Sequence, residues 1–234
     1  RSIYWLYLMK EVRVFIMKEK LGYLLENIKK DLIFMANEVE DSLFKALKSL
    51  ERQDKKLAEE VLKIDKKIDV QEVKIEDQIL SLLVLQQPVA VDLRFIVGAL
   101  KMNNDLERIG DHAVNIAQTA MKLIGEPYLK PLEDIPLMGK IARNMLHDAV
   151  HAFINQNTDL ARDVCARDDE VDRLFDRVKD DVIEVLKKKI SKIEQGIHLI
   201  AVARDLERVA DLATNLGEDV VFMREARIIR HGFA

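Results

Sequence analysis

Apolar residues recur three and four apart through most of the chain, the spacing of helices that each bury one face. In the first half this period predicts a helix over about 19–52, a second starting after Asp54 as N-cap, and a third over about 89–124 behind a break at Gln87-Pro88. In the second half it predicts a helix from Pro136 to about Gln156 and another starting after Asn157. A last helix follows Ser191, whose spacing to Glu194 matches a capping box. Between the halves, GEPYLKPLEDIP (125–136) holds three of the four prolines. Gly125 suits the C′ position of the helix before it, and Pro136 the N1 position of the helix after it. The expected fold is all-α, with two three-helix bundles in tandem over 18–125 and 137–228 and a linker over 126–136.

Residues 1–17, RSIYWLYLMKEVRVFIM, differ in texture and are expected to be a lead-in outside the two bundles, with Met17 a candidate initiator. Their uninterrupted apolar run, Ile3 to Met9, is about a third of the roughly 20 residues that span a bilayer. Lys10, Glu11 and Arg13 then interrupt it, and of the features of a signal peptide only the basic start, Arg1, is present. A cytoplasmic chain without a transmembrane segment is expected.

The halves are also alike in wording. DLERIGDHAVN (105–115) and DLERVADLATN (205–215) are identical at seven of eleven positions, and VLKIDKKID (61–69) aligns with VCARDDEVD (164–172). A repeat of about a hundred residues is too long for a solenoid unit and fits two fused bundles.

The repeated segments carry acidic pairs four residues apart, an arrangement that weakens a helix by a few tenths of a kcal/mol. On a helical wheel Leu106, Ile109, Ala113 and Ile116 share the core sector, while Glu107 and Asp111 project from the other side with Arg108 and Asn115. Upstream, Asp65, Asp69, Glu72 and Glu76 form a stripe between two apolar rows. Antiparallel pairing of the second and third helices brings positions that share a midpoint level with one another. Asp69–Glu107 and Asp65–Asp111 both centre on residue 88, the Pro88 break. Asp172–Glu207 and Asp168–Asp211 both centre between Lys189 and Ile190, in KKKIS. Each hairpin thus sets a D-xxx-D level with an E-xxx-D.

Four facing carboxylates need compensation, because each disfavours ionisation of the next. A hard cation would serve: oxygen-only clusters suit Mg²⁺, Ca²⁺ or Mn²⁺, and helical carboxylate sites also hold iron. So would Arg108 or Arg208, paired with the Asp three residues before or after it, in which case the chain is a plain helical scaffold.

Composition narrows the remaining chemistry. The net charge is −4 with 33% charged residues, which argues against a nucleic-acid partner. The single cysteine, Cys165, excludes an internal disulfide and has no evident activating neighbour. His147 and His151 stand four apart and could hold a metal, but no partner ligand is evident. No histidine follows a glutamate by three, as the four-helix di-iron pattern requires, and no phosphate-cradling glycine loop or nucleophile motif is present. A carboxylate-bridged metalloenzyme is therefore the alternative reading and no catalytic residue is expected.

The run LQQPVAVDLRFIVGALKMNNDLERIGDHAVNIA (85–117), the paired E-xxx-D motifs and the PYLKPLEDIP linker closely resemble the PhoU family of phosphate-transport regulators, over about residues 18–226. The resemblance implies two tandem three-helix bundles, a cytoplasmic protein that often dimerises, and no enzymatic activity. It implies a negative regulator of phosphate uptake and phosphate-starvation signalling, acting with the ATPase of the phosphate ABC transporter and with a sensor histidine kinase. It also implies divalent or trivalent metal ions, multinuclear iron among them, with magnesium, calcium, manganese or zinc as alternatives. The metal residues would be Asp65, Asp69, Glu107 and Asp111 in one half and Asp168, Asp172, Glu207 and Asp211 in the other. Phe175 stands where the first half has Glu72, and Lys179 where it has Glu76, so the second set is expected to be the less acidic.

Overall fold

The computed structural model describes the backbone of residues 2–229 and the side chains of residues 19–229. Among the described residues the elements are seven α-helices and one 3₁₀ turn, with no strand. The first bundle is α1 (Ser2–Arg52), α2 (Lys55–Gln86) and α3 (Ala90–Leu123). The second is α4 (Asp134–Asn155), α5 (Thr158–Ala166), α6 (Asp168–Lys188) and α7 (Ile193–Glu225). Residues 2–17, expected to be a lead-in, are helical and continuous with α1, and their side chains lie outside the described residues.

Local chemistry accounts for most of the boundaries. Asp54 accepts hydrogen bonds from the Lys56 and Leu57 amides and opens α2; Asn157 does the same for Asp159 and Leu160 and opens α5. Gly125 follows α3 at φ 92°, a conformation glycine adopts without strain. Pro136 lies within the first turn of α4, which begins two residues earlier than expected. Its missing N–H costs nothing there, since first-turn amides have no helical partner.

Two boundaries differ from the sequence expectation. The middle helix of the second bundle breaks at Arg167, whose guanidinium is held by Asp148 of α4 at 2.7 Å and by Asp163 at 3.3 Å. Asp168, Asp169 and Glu170 then form the acidic first turn of a new helix, which the helix dipole favours. The Ser191–Glu194 capping box does not form: a 3₁₀ turn over Ile190–Lys192 absorbs Ser191, and Lys192 takes the cap position with no side-chain bond.

The bundles lie side by side, and each joint between them is antiparallel. On α1 and α4, Lys29 reaches the Ile154 carbonyl and Glu40 lies beside His147. On α3 and α7, Lys101 meets Asp219, and His112 Nδ1 lies 2.9 Å from Asp205 Oδ1. An element that meets its own copy antiparallel makes the units related by an approximate two-fold axis. One continuous apolar core runs through both, built from residues such as Leu43, Ile68, Leu106, Leu146, Val178 and Leu206. Burial over 101–110 and 201–210 is the same class at every position.

Candidate metal centre

The α2–α3 turn at Pro88 lets the hairpin close with the register that the midpoints require. Ile68 packs on Gly110, where a Cβ would sit 3.2 Å from Ile68 Cδ1 and 3.9 Å from Asp65 Oδ1. This close approach sets Asp65 and Asp69 of α2 against Glu107 and Asp111 of α3. Burial, and then the charges of Asp69 and Asp111, raise the pKa of Asp65. Burial, followed by Asp111, Glu72, Asp69 and Asp65, raises Glu107. Glu72, raised by burial and by Glu76 and Asp69, belongs to the same group. Among the described residues no Lys or Arg lies within 4.0 Å of Asp65, Asp69, Glu107 or Asp111; Arg108 turns away to Asp105 at 3.5 Å.

The second set gathers Asp168 and Asp172 of α6 with Glu207 and Asp211 of α7. Asp168 is raised to about 6 by burial and by Asp211, Asp172 and Asp169, with the Thr214 side chain acting the other way, and its Oδ1 is buried. Asp172 and Glu207 are also raised, burial being the largest cause in each. Here, unlike in the first set, cations take part. Arg208 lies 2.8 Å from Asp211 and 3.9 Å from Glu207, and it pulls Glu207 back towards the ionised form. Lys179, at the repeat position of Glu76, pairs with Asp176 at 2.6 Å and senses Glu207.

All eight sequence-predicted carboxylates therefore fall into the two expected groups. Glu107–Asp211 and Asp111–Glu207 share a midpoint within half a residue of that of His112–Asp205. The sets are thus level with each other across the α3–α7 joint. Among the described residues no three His, Cys, Asp or Glu side chains already converge to cage an ion. Capture of a cation would require rotation of carboxylates such as the exposed Asp69 and Asp111. The donor chemistry fits a hard cation best in the first set, where no Lys or Arg among the described residues offsets the repulsion, and Asp168 Oδ1 supplies a buried acceptor in the second.

Sequence reasoning missed Asp169 and Asp176, which join the second set; the acidic run DDEVD (168–172) was the available signal for Asp169, and for Asp176 it was the position four residues after Asp172 on α6. It also left His147 without a partner. Glu40 Oε2 lies 3.2 Å from His147 Nδ1, a contact between residues 107 apart that no local pattern foretells. Cys165 is partly buried beside the Thr214 carbonyl, and burial pushes its thiol up to about 11, so it is no nucleophile at neutral pH.

Among the described residues no helix is long and apolar enough to cross a membrane. A family model described as PhoU domain matches residues 32–120 and again 135–220, one match per bundle. The chain is 41% identical over 207 residues to the "Phosphate-specific transport system accessory protein PhoU homolog" of Aquifex aeolicus, covering 88% of this chain and 94% of the relative. A protein of the same description from Clostridium acetobutylicum is 36% identical over 200 residues, 85% of this chain and 91% of its own. The crystal structure of PhoU from Pseudomonas aeruginosa matches with a TM-score of 0.84 at 30% identity, over 88% of this chain and 99% of that one. That of the phosphate transport system regulatory protein PhoU from Streptococcus pneumoniae matches with 0.83 at 27%, over 89% and 98%. With both bundles matched and full-length relatives above 30% identity, the chain belongs to the PhoU family.

Proposed function

We propose that this chain is a cytoplasmic, non-catalytic accessory of phosphate transport that restrains phosphate uptake and phosphate-starvation signalling. In this reading it is an adaptor between the ATPase subunit of the phosphate ABC transporter and a phosphate-sensing histidine kinase, and it works as a homodimer. The observation that carries the reading is the near full-length similarity to a relative named as an accessory protein of the phosphate-specific transport system. The long helices, with exposed apolar residues such as Val70, Val84 and Val89 among their polar ones, supply docking surface. Pull-down from cell extract tests it: recovery of the transporter ATPase and the kinase is expected, and recovery of neither would refute the adaptor role.

Metal binding forms a second part of the proposal. Asp65, Asp69, Glu107 and Asp111 would hold one or more divalent or trivalent ions, iron included, and Asp168, Asp172, Glu207 and Asp211 would hold a weaker set. A bound cation would neutralise carboxylates that now repel one another and so brace each hairpin. The support is the first cluster's lack of any neutralising Lys or Arg among the described residues. Metal content of protein purified without chelator, wild type against Glu107→Ala/Asp111→Ala, decides the matter; equal content would leave a plain scaffold. Turnover of dioxygen or a phosphoester by metal-loaded protein would instead favour a metalloenzyme.

A further inference from the structure

We propose that the end of the α6–α7 hairpin docks directly on an anionic lipid surface. The turn reads KKKISKI over 187–193. Ile190 is 71% exposed, Ile197 58%, Ile193 49% and Ile183 42%. Isoleucines this open to water at one helix-hairpin end are costly unless something covers them. They also stay outside the recess beside the turn, which Lys122, Glu126, Glu194 and His198 line. Ile183 and Ile197 are each seven residues from Ile190, about 10 Å along a helix. Ile190 and Ile193 stand at the turn itself, within the about 5–10 Å that interfacial apolar faces reach into the headgroup region.

Charge decides what covers them. Lys187 and Lys192 are held by Glu184 and Glu126, each at 2.6 Å, whereas Lys188 and Lys189 are exposed and have no ion pair among the described residues. With Lys122 nearby, the turn carries five lysines against Glu184, Glu194 and Glu126, with Asp180 and Asp181 further back on α6 and Asp181 paired with Lys130, in a chain whose net charge is −4. Apolar side chains ringed by lysines match the boundary of an anionic bilayer, where lysine stems lie along the acyl region and the ammonium groups stay among the headgroups. The opposite end of the molecule makes the contrast. At the α2–α3 turn Val84 and Val89 are 76% and 72% exposed, yet no charged residue lies between Asp77 and Asp92. Because α3 and α7 are antiparallel, the two turns point in opposite directions, and of the two turn segments themselves only KKKISKI combines exposed isoleucines with lysines.

The contact needs no protein partner, so its test is independent of the adaptor reading. The full chain is co-sedimented with phosphatidylcholine vesicles and with vesicles containing about a third phosphatidylglycerol. Binding at least about tenfold stronger to the anionic vesicles, and weakened by salt, is expected. Lys188→Glu/Lys189→Glu and Ile190→Ser/Ile193→Ser should each abolish it while keeping the wild-type far-ultraviolet helix signal; Val84→Ser/Val89→Ser should not change it. Equal binding to both vesicle types, binding to neither, or binding that survives either hairpin-end variant overturns the proposal. Loss of a protein partner with Lys188→Glu/Lys189→Glu, without any vesicle binding, also overturns it and makes the end a protein interface.

Discussion

Arg208 Nη1 lies 2.8 Å from Asp211 Oδ2, one turn along α7 and within the second carboxylate set. Its repeat counterpart Arg108 points the other way, to Asp105 at 3.5 Å, and among the described residues no guanidinium neutralises the first set. Two stretches nearly identical in sequence therefore differ in the property that matters for a cation.

From this asymmetry, the first set should take up metal more tightly than the second. Glu107→Ala/Asp111→Ala should remove most of the bound metal, and Glu207→Ala/Asp211→Ala much less. Arg208→Ala should strengthen binding at the second set by about tenfold, the effect of removing one partly screened charge at close range. Titration calorimetry of chelator-stripped variants checks all three.

Asp168 gives a pH signature. Its pKa rises from 3.8 in the unfolded chain to about 6 in the folded one, chiefly by burial. A raised carboxylate favours the folded state fully below the unfolded value, and that contribution is lost as pH rises through about 6. Asp168→Asn should accordingly stabilise metal-free protein at pH 8, by on the order of 1 kcal/mol after allowance for partial exposure, with a gain that vanishes below about pH 4. Melting temperatures of both proteins across this range should differ by about 2–4 °C at the alkaline end and converge at the acid end.

Gly217 is required for packing. A Cβ there would lie 2.8 Å from the Ala161 carbonyl oxygen, a backbone atom that cannot step aside without moving α5. Gly217→Ala should destabilise by about 1–3 kcal/mol in urea unfolding. At Gly98 the clash is with the flexible end of Met223, so Gly98→Ala should cost less.

The joint between the bundles depends on Asp205, which lies 2.9 Å from His112 Nδ1 and 3.5 Å from Asn115 Nδ2. Asp205→Ala leaves the half-buried His112 without this partner and should cost about 1–2 kcal/mol, while the exposed Asn115 turns to water. Arg108→Ala, which removes only an exposed ion pair, should stay within about 0.5 kcal/mol. Chemical denaturation of the two variants separates the cases.

Local pattern alone revealed the helices, the N-caps at Asp54 and Asn157, the glycine stop at Gly125 and the all-α tandem organisation. These depend on periodicity and on hydrogen bonds spanning two or three residues, which one stretch of chain contains in full. The pairing of Asp65 with Asp111 and Asp69 with Glu107 was also legible, because a hairpin around a fixed break leaves only one register. Less local features were not. The break at Arg167 depends on Asp148 from another helix, and Glu40 reaches His147 from a helix 107 residues earlier. The Ser191 box matched its pattern and still lost to a 3₁₀ turn at the end of α6.

The sequence by itself thus determined that a D-xxx-D faces an E-xxx-D and that it happens twice, since spacing on a helix and the position of a turn specify both, while Asp169 and Asp176 join the second set only in the folded chain. Only the tertiary structure decided how the two sets differ and where they stand. Arg208 faces Asp211 while Arg108 faces Asp105, and the antiparallel meeting of α3 with α7 brings the sets level. A long side chain chooses among partners within reach according to burial and competing charge, and those are properties of the assembled bundles rather than of any one stretch of chain.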